Sequence, residues 1–216
     1  MRCWRGAVWA NILLLALESA GCAVSFFRGG IGVLLFYTVQ NNIFAAVSAA
    51  CIICCYGRAQ LPGWVRLLRL TAAAGLGVTF LVVTLVLVPM SLPFGAAGEI
   101  IFDGAQIYHH LLCPLLTIGS LLIFEGTEGM SLREASCAAM PTVAYASGAV
   151  VLNLTHMTKG PYPFLQVLEQ PWYVSCVWFL LTTGLALVTA MTLTLSGQGA
   201  RGWTALSLYS NTHRRI

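Results

Sequence analysis

Tyr37-Thr38-Val39-Gln40-Asn41-Asn42 lies inside an otherwise apolar run from Ile31 to Tyr56. The run is long enough to cross a bilayer with some tilt, yet nothing in lipid rewards a threonine, a glutamine and two asparagines. On a helix, Thr38, Asn41, Asn42, Ala45 and Ser48 fall on one face at spacings of three and four. Phe36, Val39, Ile43, Phe44 and Val47 turn away from it. That division gives a small, polar face for a bundle interior and a greasy face for lipid.

The rest of the chain agrees with this reading. Of 216 residues, 58% are hydrophobic and 8% charged, and mean hydropathy is +0.83, outside the range of soluble domains. Successive apolar runs predict an all-α, polytopic membrane bundle, a single domain over residues 1–216, with six spans near 7–27, 31–56, 70–89, 105–124, 135–154 and 172–195. The net charge of +4 then carries no message about nucleic acid; the placement of the basic residues does the work. Arg2 and Arg5 ahead of the first apolar run mimic the start of a signal peptide, but Glu18 inside that run, with no small-x-small cleavage site, argues for a retained helix. With the N-terminus inside, inner segments carry Arg2, Arg5, Arg58, Arg66, Arg69, Arg133, Arg201, Arg214 and Arg215, and outer segments only Arg28 and Lys159. This bias predicts that both termini are cytoplasmic.

On that topology the polar residues gather on one side. Arg28-Gly29-Gly30 reads as the outer turn between helices 1 and 2, which puts Thr38 roughly 10 Å below the outer boundary at a rise of about 1.5 Å per residue. The fourth span begins after Asp103, so His109 and His110 come to a similar depth, and the inner halves read as almost entirely apolar. His109, Cys113, Thr117 and Ser120 share a face of that span. Neutral imidazole beside a threonine hydroxyl suits acyl transfer: the ring takes the hydroxyl proton as the oxygen attacks a carbonyl. The amides of Asn41 or Asn42 are candidate oxyanion donors, with Gln40 beside them as further support. Adjacent residues on a helix point about 100° apart, so only one of the two histidines is expected to face Thr38 well, and the polar stripe favours His109 over His110.

Each of these residues has a plainer alternative. A threonine in a membrane helix commonly bonds back to a carbonyl one turn earlier, here Leu34, and the histidines can serve as hydrogen bonds between helices. Glu18 can be a carboxyl bonded inside the bundle, the anchor of a polar network, or a proton carrier. A pocket near Thr38 would offer a substrate Arg28, Cys113, Thr117, His156 and Tyr162; equally, Arg28 can meet headgroup phosphates and His156 can be solvated in its loop. Cys113 is a competing nucleophile of the kind used by cysteine-dependent membrane acyltransferases, but apolar burial blunts a thiol. Cys51, Cys54 and Cys55 lack a partner cluster, so no metal is expected, and no cofactor is called for. Two classes stay open, an enzyme with a one-sided pocket and a lipid or small-solute carrier with a polar path through both leaflets.

Three motifs carry a resemblance. Phe36-Tyr37-Thr38-Val39-Gln40-Asn41-Asn42 resembles the start of helix 2 in the androgen-induced-gene family of intramembrane threonine hydrolases and its bacterial relatives. His109 with Pro114, and Thr155-His156-Met157-Thr158 with Tyr162-Pro163-Phe164-Leu165, resemble that family's helix-4 motif and its loop between helices 5 and 6. They occur in the same order, on six spans, over nearly the whole chain. The resemblance implies a lipid hydrolase of the bacterial plasma membrane acting on fatty-acyl esters, such as fatty acid esters of hydroxy fatty acids. It puts the nucleophile on Thr38 and the base on His109. The adjacent His110 is a departure from the family pattern. Oligomeric state is not read from the sequence.

Overall fold

The computed structural model describes residues 2–55, 58 and 61–213. Tyr56, Arg214 and Arg215, used above for a span end and for charge placement, lie outside these residues. Six helices are long and apolar enough to cross a membrane: α1 (Arg5–Leu35), α2 (Tyr37–Cys54), α3 (Gly63–Phe94), α5 (Tyr108–Glu125), α6 (Leu132–Leu154) and α7, whose apolar part is Trp172–Gln198. A short α4 (Ala97–Phe102) lies between α3 and α5. No strand occurs among the described residues. The protein is an all-α integral membrane bundle, as composition predicts.

α3 is the central post. Leu70, Ala73, Ala74 and Val78 are buried against Ala135, Ala138 and Ala139 of α6 and against Ala186, Ala190 and Leu193 of α7. With lipid outside there is little hydrophobic drive between helices, so close backbone approach across small residues provides the packing. Ser131 caps α6: its hydroxyl accepts from the Glu134 N–H while the Glu134 carboxylate accepts from the Ser131 N–H at 2.7 Å, satisfying two end groups reciprocally.

Helix 1 does not stop at Gly29-Gly30. The chain continues as a tighter 3₁₀ segment, Gly30–Leu35, and breaks only at Phe36, whose φ of −85° and ψ of 127° are extended. Contacts distant in sequence fix the break: Tyr145 of α6 donates to the Leu35 carbonyl at 2.8 Å and Gln40 donates to the Leu34 carbonyl at 2.7 Å, which satisfies end carbonyls without a partner in their own helix. α2 therefore starts at Tyr37, and Thr38 stands in its first turn rather than two turns down a span. The rest of the proposed face holds, with Thr38, Asn41, Asn42, Ala45 and Ser48 all buried, although Val39 is buried too.

The opposite end of the bundle is not apolar. Arg69, counted among the inner basic residues, is 1% exposed and grips Glu125 with two bonds, Nε to Oε2 at 2.8 Å and Nη2 to Oε1 at 3.1 Å. Asn11 and Ser120 donate to the same carboxylate at 2.8 and 2.7 Å, and Arg69 reaches Ser48 at 3.4 Å. Glu125 ends α5 and is turned into the bundle. A buried charge must find its counter-charge and its hydrogen bonds inside, and here four helices supply them.

Candidate functional site

The end of the bundle away from the ion pair opens into a cavity of about 650 Å³. Its wall includes the start of α2, the α3–α5 connection and the loop around Tyr162. Thr38, His109, His110, Arg28 and Tyr162 all line it, so the structure brings five of the candidate residues to one space.

Thr38 does not bond back to Leu34. Its hydroxyl lies 3.1 Å from the Tyr162 hydroxyl, and its backbone N–H donates to the same oxygen at 3.3 Å. Position in the first turn of α2 explains the second bond, because an N–H there has no carbonyl one turn earlier. Tyr162 stacks on Phe164 with ring centroids 5.4 Å apart and meets Phe36 edge-on at 6.1 Å. Burial raises the Tyr162 phenol above its ordinary range, so it remains protonated at neutral pH. With its oxygen accepting from the Thr38 N–H, its proton can serve Thr38 Oγ1, which leaves the threonine proton free for a base. Thr38 and Tyr162 also border a second, almost wholly apolar pocket of about 40 Å³, walled by Val78, Val82 and Phe164. The pair thus stands between a mainly apolar cavity that carries the polar candidate groups and an almost wholly apolar pocket.

His109 is 1% exposed and its Nε2 lies 2.9 Å from Ser25 Oγ, another cavity residue. Nothing in the hydrogen bonding joins His109 directly to Thr38. The imidazole lies against Gly21 of α1, where a Cβ would come within 3.0 Å of the ring. His110 also lines the cavity, and its Nδ1–H donates to the Ile100 carbonyl of α4 at 2.6 Å. Both histidines face inward because Tyr108–Leu112 forms a π-turn, whose wider path brings adjacent residues closer to one direction than an α-turn does. Pro114 follows that turn, and its missing N–H removes a bond α-helical geometry would require.

Other candidates are elsewhere or otherwise engaged. Asn41 and Asn42 donate to the carbonyls of Tyr37 and Thr38 at 2.8 and 2.7 Å, the local back-bonding common to short polar side chains, and neither lines the cavity. In the first turn of α2 the Thr38 N–H is taken by Tyr162 and the Gln40 N–H by the Phe36 carbonyl, which leaves the N–H of Val39, a cavity-lining residue, as the candidate donor there. Gln40 is exposed. Cys113 is fully buried with Leu14 and Ala49, Thr117 is fully buried without a hydrogen bond for its hydroxyl, and neither lines the cavity. His156 sits exposed in its loop at φ 58°. Arg28 pairs with Asp103 at the cavity mouth, at 2.9 and 3.0 Å, and the chain folds under the guanidinium at Gly104, where a side chain would collide with it.

Sequence reasoning missed Ser25 and Asp103. Ser25 had a signal: Asn11, Glu18 and Ser25 recur every seven residues in an apolar helix, a stripe that faces one neighbour. Among the described residues, no three His, Cys, Asp or Glu side chains gather where they could hold a metal ion. Compared with models of protein families, with curated proteins and with solved structures, the chain matches none.

Proposed function

We propose that the protein is an intramembrane hydrolase of fatty-acyl esters, with Thr38 as nucleophile and His109 as general base. The observation that carries this is the meeting of the Thr38 hydroxyl and the buried His109 imidazole in one cavity of about 650 Å³, a volume within the range of small-molecule sites. Tyr162 holds the threonine oxygen, the N-terminal end of α2 favours the developing oxyanion through its dipole, and the adjoining apolar pocket takes part of an acyl chain. The resemblance of residues 36–42, of His109 with Pro114 and of residues 155–165 to the threonine hydrolases points the same way.

The hydrogen bond between His109 and Ser25 favours a second assignment within the same reaction, because a nucleophile and its base stand within about 2.6–3.2 Å and this pair is at 2.9 Å. In that version Ser25 attacks and Thr38 with Tyr162 shapes the acyl site. Incubating the purified protein with an alkyl fluorophosphonate and sequencing the modified peptide by mass spectrometry separates the two. The expected result is ester hydrolysis and a phosphonyl adduct on Thr38; an adduct on Ser25 transfers the role to that residue. No hydrolysis of any long-chain ester, or an adduct on Cys113 alone, overturns the threonine–histidine reading.

The charge asymmetry supports a cavity that opens on the non-cytoplasmic face. Gly98, where an added side chain meets nothing, and exposed Lys159 are suited to cysteine scanning. Gly98→Cys and Lys159→Cys should each react with an impermeant thiol reagent in intact cells above the wild-type background. Labelling of both only after lysis would reverse the orientation.

A further inference from the structure

Six buried side-chain atoms among the described residues lack a well-formed hydrogen bond in the protein, the Glu18 carboxyl having only the Cys113 thiol beside it and His109 only the Gly21 backbone besides Ser25. They are Asn11 Oδ1, both oxygens of Glu18, Asn42 Oδ1, His109 Nδ1 and Thr117 Oγ1. All belong to buried positions of α1, α2 and α5. On α1 they continue the stripe Asn11, Glu18, Ser25. His109 packs on Gly21, one turn from Glu18, and the thiols of Cys22 and Cys113 flank the Glu18 carboxyl. One end of the seam is the Ser25–His109 bond in the cavity wall, and the other is the Asn11–Glu125–Arg69 network.

Buried polar atoms in native proteins almost always have a partner, protein or water, and polar sites of this kind hold ordered water that makes two to four hydrogen bonds. A carboxyl in the middle of a membrane helix, with only the Cys113 thiol as a hydrogen-bonding neighbour, is by default a candidate for an ion or proton pathway. From Ser25 to Asn11 is fourteen residues of helix, about 21 Å at 1.5 Å per residue. That is most of a hydrocarbon core of about 30 Å, with a wide cavity beyond one end and the terminus of α5 beyond the other.

We infer that the seam between α1, α2 and α5 is a hydrated proton path joining the cavity to the Arg69–Glu125 pair, with Glu18 as its mid-membrane proton-binding residue. This is independent of the hydrolase reading. A proton from cavity water reaches His109 at Nε2, the ring releases its Nδ1 proton on the side of the Gly21 backbone, and reorientation of the ring restores the starting tautomer before the next transfer. Water bridged by Asn42 delivers that proton to a Glu18 oxygen, and Glu18 gives it up toward Thr117, Asn11 and the Glu125 carboxylate. Only O–H and N–H bonds form and break, and no electron moves. Leu14, fully buried between Asn11 and Glu18 with Ala49 and Cys113 around it, is the apolar constriction. Arg69, adjacent to the exit, disfavours passage of other cations.

The test is proton flux into vesicles that contain the purified full chain and an enclosed pH-sensitive dye, driven by a potassium diffusion potential. Wild type should acidify or alkalinise the interior, according to the sign of the potential, well above protein-free vesicles. Glu18→Gln should lower the flux at least tenfold with unchanged elution in detergent, and Glu18→Asp should restore part of it. Leu14→Ala, which shortens the constriction, should raise the flux several-fold and keeps the proposal testable if Glu18→Gln does not fold. Flux equal to protein-free vesicles for wild type and Leu14→Ala alike overturns the path. Flux unchanged in a folded Glu18→Gln protein overturns the role of Glu18.

Discussion

Glu125→Ala should be the most destabilising single substitution in the bundle. It would strand the Arg69 guanidinium, 1% exposed, and remove the acceptor used by Asn11 and Ser120. Breaking a buried ion pair by deleting one partner costs about 3–5 kcal/mol, because the surviving charge stays in a low-dielectric interior without its compensation. Arg69→Ala should cost a similar amount for the reciprocal reason. Replacing both together by methionine should cost much less, since neither charge is then left alone and long side chains refill the space. The measurement is the fraction of protein that stays monodisperse in detergent after a graded heat step. An Glu125→Ala protein as heat-resistant as wild type would remove the ion pair from the account of the fold. A double variant no better than either single would show that the geometry of the network, rather than its charge balance, holds the helices.

That network also marks the limit of what the sequence discloses. The face of α2 was legible because five small or polar residues at helical spacing stand out in an apolar run, and all five are buried. The stripe His109, Cys113, Thr117, Ser120 on α5 was legible for the same reason, and its four residues are buried as well. Arg69 was not, since an arginine near the end of an apolar run ordinarily meets headgroups or water, and its partner is Glu125, far along the chain. Local charge patterning has no reach over that distance. The start of α2 was misplaced for a related reason. Gly29-Gly30 is a good local turn signal, but the actual break is held by Tyr145 from α6 and by Gln40.

This shift of boundary matters to the chemistry. It moves Thr38 from a position inside a helix, where its hydroxyl would face a carbonyl, to a helix start bordering the cavity, where the positive end of the helix dipole lies. A hydroxyl attacking a carbonyl develops negative charge beside it, which is the charge such an end stabilises. The resemblance selected Thr38 without this reason; the backbone supplies it. Conversely, Asn41 and Asn42 belong to the same motif, yet their amides hold the helix start itself together, so substituting them should act through the position of Thr38.

His109→Ala carries the largest expected loss of activity. A positioned general base contributes about 10²–10⁴-fold, and His109 is the base proposed for either hydroxyl: it is bonded to Ser25 at 2.9 Å and lines the same cavity as Thr38. Its substitution should therefore lower kcat for a long-chain ester at least 100-fold with little change in KM. His110→Ala should lose less than tenfold, because its Nδ1–H is committed to the Ile100 carbonyl and its loss loosens α4 rather than removing a base. The two hydroxyls then divide the remaining question. If Thr38 is the nucleophile, Thr38→Ala should be as inactive as His109→Ala, while Ser25→Ala should retain measurable turnover, since a bond to Ser25 only orients the ring. The reverse order, a dead Ser25→Ala and an active Thr38→Ala, assigns the attack to Ser25 and leaves Thr38 with Tyr162 as the wall of the acyl site. Full activity in His109→Ala, with the protein expressed and eluting as wild type, would end the hydroxyl–imidazole mechanism in both versions, because no other imidazole at the cavity has a free hydroxyl bonded to it.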